Sequence, residues 1–134
     1  MATTTAAFTL TSTDLITDSI SLSTTATLTK AGTAVGLDQT SGIARKFYAA
    51  ATTNGTLIAE ADFSDTAKAH KVYVKNTSST DTEYALLSIG SGNVALGRLY
   101  AGDWCFLPYD GTQDIDITTS DTNMTIEYMV VNEE

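Results

Sequence analysis

A single cysteine, Cys105, leaves this chain without an internal disulfide and without a cysteine-built zinc site. A single histidine, His70, removes histidine-pair metal sites and gives a Ser-His triad only one base to draw on. Basic residues are also scarce. Seven Lys and Arg stand against sixteen Asp and Glu, for a net charge of −9 and a pI near 4.3. A nucleic-acid-binding domain needs clustered Lys and Arg to displace phosphate counterions. Here only Arg45 with Lys46, and Lys68 with Lys71 and Lys75, come near one another. Both groups read as solvated strand edges, so no nucleic acid is expected as a partner. No stretch approaches the roughly 18 apolar residues of a membrane-spanning helix, and no membrane is expected either. The opening MATTTAAFTLTSTD has neither the basic start nor the apolar core of a secretory signal. The sequons at Asn54, Asn76 and Asn123 therefore read as chance matches in a Thr-rich chain. The spacings of phosphate loops, zincins and nucleophile elbows are missing. No catalytic residue, cofactor or metal is expected.

What is there suits one domain that buries a core. The 134 residues are 43% hydrophobic but only 17% charged, against about 25% in ordinary globular chains. Solubility must come from hydroxyls and net charge. Hydrophobic period 2 recurs along β-branched and aromatic segments. In SISLSTTATL, Ile20, Leu22, Ala26 and Leu28 share one side. The glycine-rich AGTAVGLDQTSG reads as a loop. Asn54-Gly55 separates two strand-like segments and predicts a type I′ hairpin. Residues Asp65–Ala69 could form one helical turn. HKVYVKN alternates Val72 and Val74 against Lys71, Tyr73 and Lys75, with His70 read as a surface residue. YALLSIG is apolar enough for burial on both faces. Trp104–Leu107 is expected to pair with Ile115–Thr118, and Met124, Ile126, Tyr128 and Val130 share a face of the last strand.

Strands every 8–12 residues with turns between them predict an all-β fold, an antiparallel β-sandwich or jelly roll. Residues 1–13 are Thr/Ala-rich without a turn code. They are expected to be an N-terminal arm, ordered by assembly or not at all. Residues 14–134 make the single sandwich domain.

The segment GRLYAGDWCFLPYDG, Gly97–Gly111, gathers the only Trp, Cys and Pro beside two Tyr and a Phe. Gly102-Asp103 marks a turn or bulge there, and Pro108 must end a strand or lie on an edge. Trp104, Phe106 and Pro108 fall on one face of a strand, Cys105 and Leu107 on the other. Either both faces are buried within one subunit, or one packs the core and the other meets another subunit or a partner. Aromatics and Arg dominate interface hot spots, which makes Arg98, Tyr100, Trp104 and Phe106 the candidate interface residues. Cys105 reads as a small buried hydrophobe. Asp110, Asp114 and Asp116 could feed a calcium site or a carboxylate pair, but read first as a solvated face.

Residues 70–131 carry a strand ending in KN, then GRLYAGDW with an aromatic run up to Pro108, then DIDI, then TIEYM. In this pattern the segment resembles small structural proteins of tailed bacteriophages, particularly marine and cyanobacterial phages. The resemblance implies a virion component with a sandwich or jelly-roll fold, present in many symmetric copies. A head decoration (cement) protein is the leading placement. Its expected partners are itself, as a homo-oligomer with a trimer first, and virion proteins such as the major capsid protein. The alternative is a tail-associated or fibre protein that stacks Tyr73, Tyr100, Trp104 and Tyr109 on a host-surface glycan.

Overall fold

The computed structural model describes residues 3–30, 36–37, 39–63 and 69–133. In chain order the strands are β1 (Thr4–Ser12), β2 (Ile20–Leu28), β3 (Gln39–Thr40), β4 (Ala44–Tyr48), β5 (Gly55–Ile58) and β6 (His70–Asn76). They continue as β7 (Tyr84–Ile89), β8 (Val94–Tyr100), β9 (Trp104–Tyr109), β10 (Ile115–Thr119) and β11 (Met124–Asn132). All strand pairs are antiparallel. One sheet runs β5-β10-β7-β8. The other runs β3-β11-β6-β9, with β4 also paired to β11. β1 and β2 form a third, two-stranded ribbon.

The two larger sheets pack face to face as an all-β sandwich, as the strand spacing predicts. Period-2 alternation supplies the core. Val72 and Val74 of β6, Ile126 and Val130 of β11, Ala85 and Leu87 of β7, and Ile115 and Ile117 of β10 all point inward. Tyr48, Leu57, Leu99 and Tyr109 complete the layer. β7 lies between β10 and β8. Its Ala85 and Leu87 are buried in the core, but Tyr84 and Leu86 on its other face are only half-buried, because no layer covers that face, so the burial on both faces read from the sequence is not seen.

The pairing departs from the sequence reading at two points. Asn54-Gly55 does not close a hairpin. β4 pairs with β11 and β5 with β10, so the chain crosses between sheets there. Asn54 does take a left-handed φ of 49°. Its backbone N–H donates to Thr118 Oγ1 at 2.9 Å, and that hydroxyl bonds back to Asn54 Oδ1 at 3.1 Å. These contacts seat β5 against β10 instead of folding it onto β4. Likewise Trp104–Leu107 does not pair with Ile115–Thr118, because β9 lies beside β6 and β10 beside β7. Both segments have apolar residues for an inner face, and opposite sheets satisfy both.

His70 is a further correction: it is buried, not exposed. It keeps phase with Val72, Val74 and Asn76, so the alternation that buries them buries it too. Its ring lies 4.8 Å from that of Phe63 and 6.1 Å from that of Tyr109. The helical turn expected at Asp65–Ala69 lies, apart from Ala69, outside the described residues. So does much of the glycine-rich loop, of which Gln39–Thr40 forms β3.

The expected arm, residues 1–13, contains β1, which pairs with β2 over all nine residues from Thr4↔Leu28 to Ser12↔Ile20. At about 3.3 Å per residue the ribbon is roughly 30 Å long. Its root is fastened to the sandwich. Ala6 and Leu28 pack on Leu37, Met129 and Val131, and Thr4 Oγ1 donates to the Leu37 carbonyl at 2.9 Å.

Candidate assembly surface

The Gly97–Gly111 segment is a corner where the chain passes from one sheet to the other. β8 ends one sheet and β9 ends the other, so both are edge strands on the same flank. Gly102 holds the turn with a φ of 80°, a conformation open to glycine at little cost. Asp103 N–H donates to the Tyr100 carbonyl at 2.9 Å, and Asp103 Oδ2 accepts from Tyr100 N–H at 2.9 Å. The corner is tied to β6 through Asn76. Gly102 N–H donates to the Asn76 carbonyl at 3.1 Å, and Asn76 N–H to the Asp103 carbonyl at 3.0 Å.

β9 then presents the face that alternation predicts. Cys105 and Leu107 turn inward against the core. Trp104, Phe106 and Pro108 stand on the outer face, with Trp104 49% exposed. Pro108 is placed within an edge strand, where its missing N–H leaves no ladder bond unmade. Across β6 the register sets Lys75 opposite Trp104, Tyr73 opposite Phe106 and Lys71 opposite Pro108. The Tyr73 and Trp104 rings lie 6.5 Å apart at a tilt of 39°. Between this face and the ribbon root lies a groove of about 710 Å³, lined by Phe8, Ala26, Tyr73, Trp104, Phe106 and Pro108 among others.

Arg98 and Tyr100 lie on β8, on the outer face of the opposite sheet. The Arg98 guanidinium sits 4.3 Å from the centre of the Tyr84 ring, a cation–π contact. The Tyr84 and Tyr100 rings are 5.7 Å apart. The four candidate residues therefore form two pairs straddling one edge of the sandwich, not one patch. Between the pairs the edge itself is apolar. Val94 and Leu96 are exposed, and a gap of about 370 Å³ opens between Leu96, Leu99, Cys105, Leu107 and Pro108. Burial pushes the Cys105 thiol above its ordinary pKa, which keeps it in the unreactive protonated form.

Sequence reasoning missed several exposed apolar residues: Val94 and Leu96 on β8, and Phe8, Leu10, Leu15, Ile16 and Leu22 on the ribbon. The signal for the ribbon was present, since its apolar residues keep period 2 on both strands. It was hidden because the seven-residue link from Thr13 to Ser19 carries no short-turn code.

Other expected groups lie elsewhere. Tyr109 is buried in the core and donates to the Gln113 carbonyl at 2.5 Å. It cannot join Tyr73, Tyr100 and Trp104 on a sugar-stacking platform. Of the three aspartates read as a solvated face, Asp116 is buried, while Asp114 Oδ1 accepts from Glu60 N–H at 2.8 Å. The Thr112 hydroxyl and N–H hold the Asp110 carboxyl below its ordinary pKa. Among the described residues, no three His, Cys, Asp or Glu side chains converge to hold a metal ion. A polar hollow of about 430 Å³ near Ser78, Glu83, Asp121 and Thr125 is lined by hydroxyls and carries no aromatic ring. No helix among the described residues is long and apolar enough to cross a membrane.

Compared with protein-family models, with curated proteins and with solved structures, the chain matches none of them.

Proposed function

We propose that the chain is a non-enzymatic structural subunit of a bacteriophage particle, a decoration protein on the capsid surface that strengthens the head. One observation carries the reading. Two edge strands of opposite sheets, β8 and β9, border one edge of the sandwich and leave Val94, Leu96 and Tyr100 exposed on one strand and Trp104 and Phe106 on the other. An unprotected apolar edge of that kind marks an interaction surface. The phage-like pattern of residues 70–131 supplies the kind of assembly, and the same residues build the flank. The acidic, hydroxyl-rich remainder suits a subunit facing water on a particle.

The second reading, a tail adhesin for a host glycan, draws on the exposed Tyr73–Trp104 pair. Apolar walls around that pair supply few of the hydrogen-bonding groups a sugar needs. Mass spectrometry and electron cryomicroscopy of purified particles test both readings. Hundreds of copies on the head are expected. A few tens or fewer at the tail would favour the adhesin, and absence from the particle would overturn both.

A further inference from the structure

One face of the β1–β2 ribbon is mostly apolar, with Ala6, Phe8 and Leu10 on β1 and Ile20, Leu22, Ala26 and Leu28 on β2, interrupted by Thr4, Ser12 and Thr24, yet its own sandwich covers only the root. Past Ala6 and Leu28 the same face continues through Phe8 to the Leu10↔Leu22 pair, which are 47% and 48% exposed. At the tip Leu15 is 72% exposed. The opposite face carries hydroxyls: Thr5, Thr9 and Thr11 on β1, Ser21, Ser23, Thr25 and Thr27 on β2. The ribbon is thus amphipathic well beyond the point where its own body ends. An apolar stripe sustained at that length is matched to a surface on another molecule.

Charge identifies that molecule. From Thr3 to Thr29 the only charged side chains are Asp14 and Asp18, both at the tip. In a chain of net charge −9, a basic surface that would receive them is rare. One exists on the outer face of β6, where Lys71 and Lys75 stand in register with Pro108 and Trp104. Neither lysine forms an ion pair among the described residues; Glu127, opposite Lys75 on β11, is paired with Arg45 instead. That same surface is the apolar one, bordered by the groove already described. Greasy tip with two acids and greasy face with two lysines are complementary, and both belong to this chain.

We infer that residues Leu10–Leu22 of one copy dock on the Trp104–Phe106 face of a second copy, with Asp14 and Asp18 set against Lys71 and Lys75. The inference rests on the assembly reading above and names its partner. Tip and face are different surfaces, so the contact is head-to-tail and closes into a ring when the rotation between copies permits. The roughly 30 Å ribbon is long enough to span from one small domain to its neighbour.

The test is sedimentation velocity on the full chain across a wide concentration range. The unaltered chain is expected to form a closed oligomer. Leu10→Asp with Leu22→Asp should abolish it, while thermal unfolding of the sandwich stays unchanged. Asp14→Lys with Asp18→Lys should weaken assembly about tenfold or more, as should Lys71→Glu with Lys75→Glu. Combining all four charge reversals should restore assembly to within about threefold of the original. A monomer at every concentration overturns the inference, as does assembly indifferent to the tip changes or a fourfold reversal that fails to rescue. Assembly lost only on Leu96→Lys would sink the tip contact and leave the structural-subunit reading standing. A tip-driven oligomer missing from purified particles would do the reverse.

Discussion

Asn76 of β6 donates a hydrogen bond from Nδ2 to the backbone carbonyl of Leu99 on β8, at 3.0 Å, inside the protein. The bond links one sheet to the other beside the corner that carries Trp104. Asn76 Oδ1 also accepts from Ser78 N–H at 3.0 Å. Removing the amide leaves the Leu99 carbonyl buried without that donor. Asn76→Ala is expected to cost about 1–3 kcal/mol, measured by urea unfolding, and to loosen the corner. A change within error would mean that the amide does not tie the sheets together.

Two glycines, Gly97 within β8 and Gly102 in the turn after it, should respond in opposite ways. Gly102 adopts a φ of 80°, so Gly102→Ala forces an L side chain into the left-handed region at about 1–2 kcal/mol. Gly97 has no positive φ and open space where a Cβ would sit. Gly97→Ala should be neutral, or stabilise by up to about 1 kcal/mol. Equal melting temperatures for the two variants would contradict the corner geometry.

Two tyrosines should titrate late. Tyr48 is pushed up to about 12, first by burial and then by Tyr128 and Asp116. Tyr109 is pushed up to about 12 by burial, reinforced by Asp110, Asp114, Glu60 and Asp62. Both values exceed the ordinary 10.0, so between these limits the folded chain holds protons the unfolded chain releases. Stability is then independent of these groups below about pH 10 and falls as the pH rises toward about 12. Absorbance at the phenolate band should show a late phase that coincides with unfolding and shrinks in Tyr109→Phe. A single early phase for all the tyrosines would refute the burial of both.

Trp104 offers a way to separate folding from assembly. Its side chain is half exposed on an edge strand, so Trp104→Ala should cost about 1 kcal/mol or less in stability. Self-association or shell binding should fall by about tenfold or more, because a central aromatic anchor is lost. Indole fluorescence should be red-shifted in the isolated subunit and move to the blue on assembly. Fully buried emission from a stable monomer would show that no partner covers this face.

The alternating outer face of β9 was legible in the sequence because Trp104, Phe106 and Pro108 sit two residues apart, and strand geometry alone then puts them together. Arg98 and Tyr100 were legible as exposed aromatic and cationic residues, but not as belonging to the opposite sheet. Gly102 was visible as a turn; that it carries the chain across the sandwich was not.

The amino-acid pattern alone determined that this chain is all β, where most of its strands lie and which residues of a strand share a face, because side-chain alternation is a property of the extended backbone itself. Which strand lies beside which was decided by tertiary structure. Asn54-Gly55 is locally suited to a hairpin, yet β5 gains more by lying against β10, where Leu57 and Ile58 join the shared core. His70 looked exposed beside Lys71 until Phe63 and the neighbouring Tyr109 closed around it. Pairing is a competition among distant segments for one buried face, and short-range spacing does not contain its outcome.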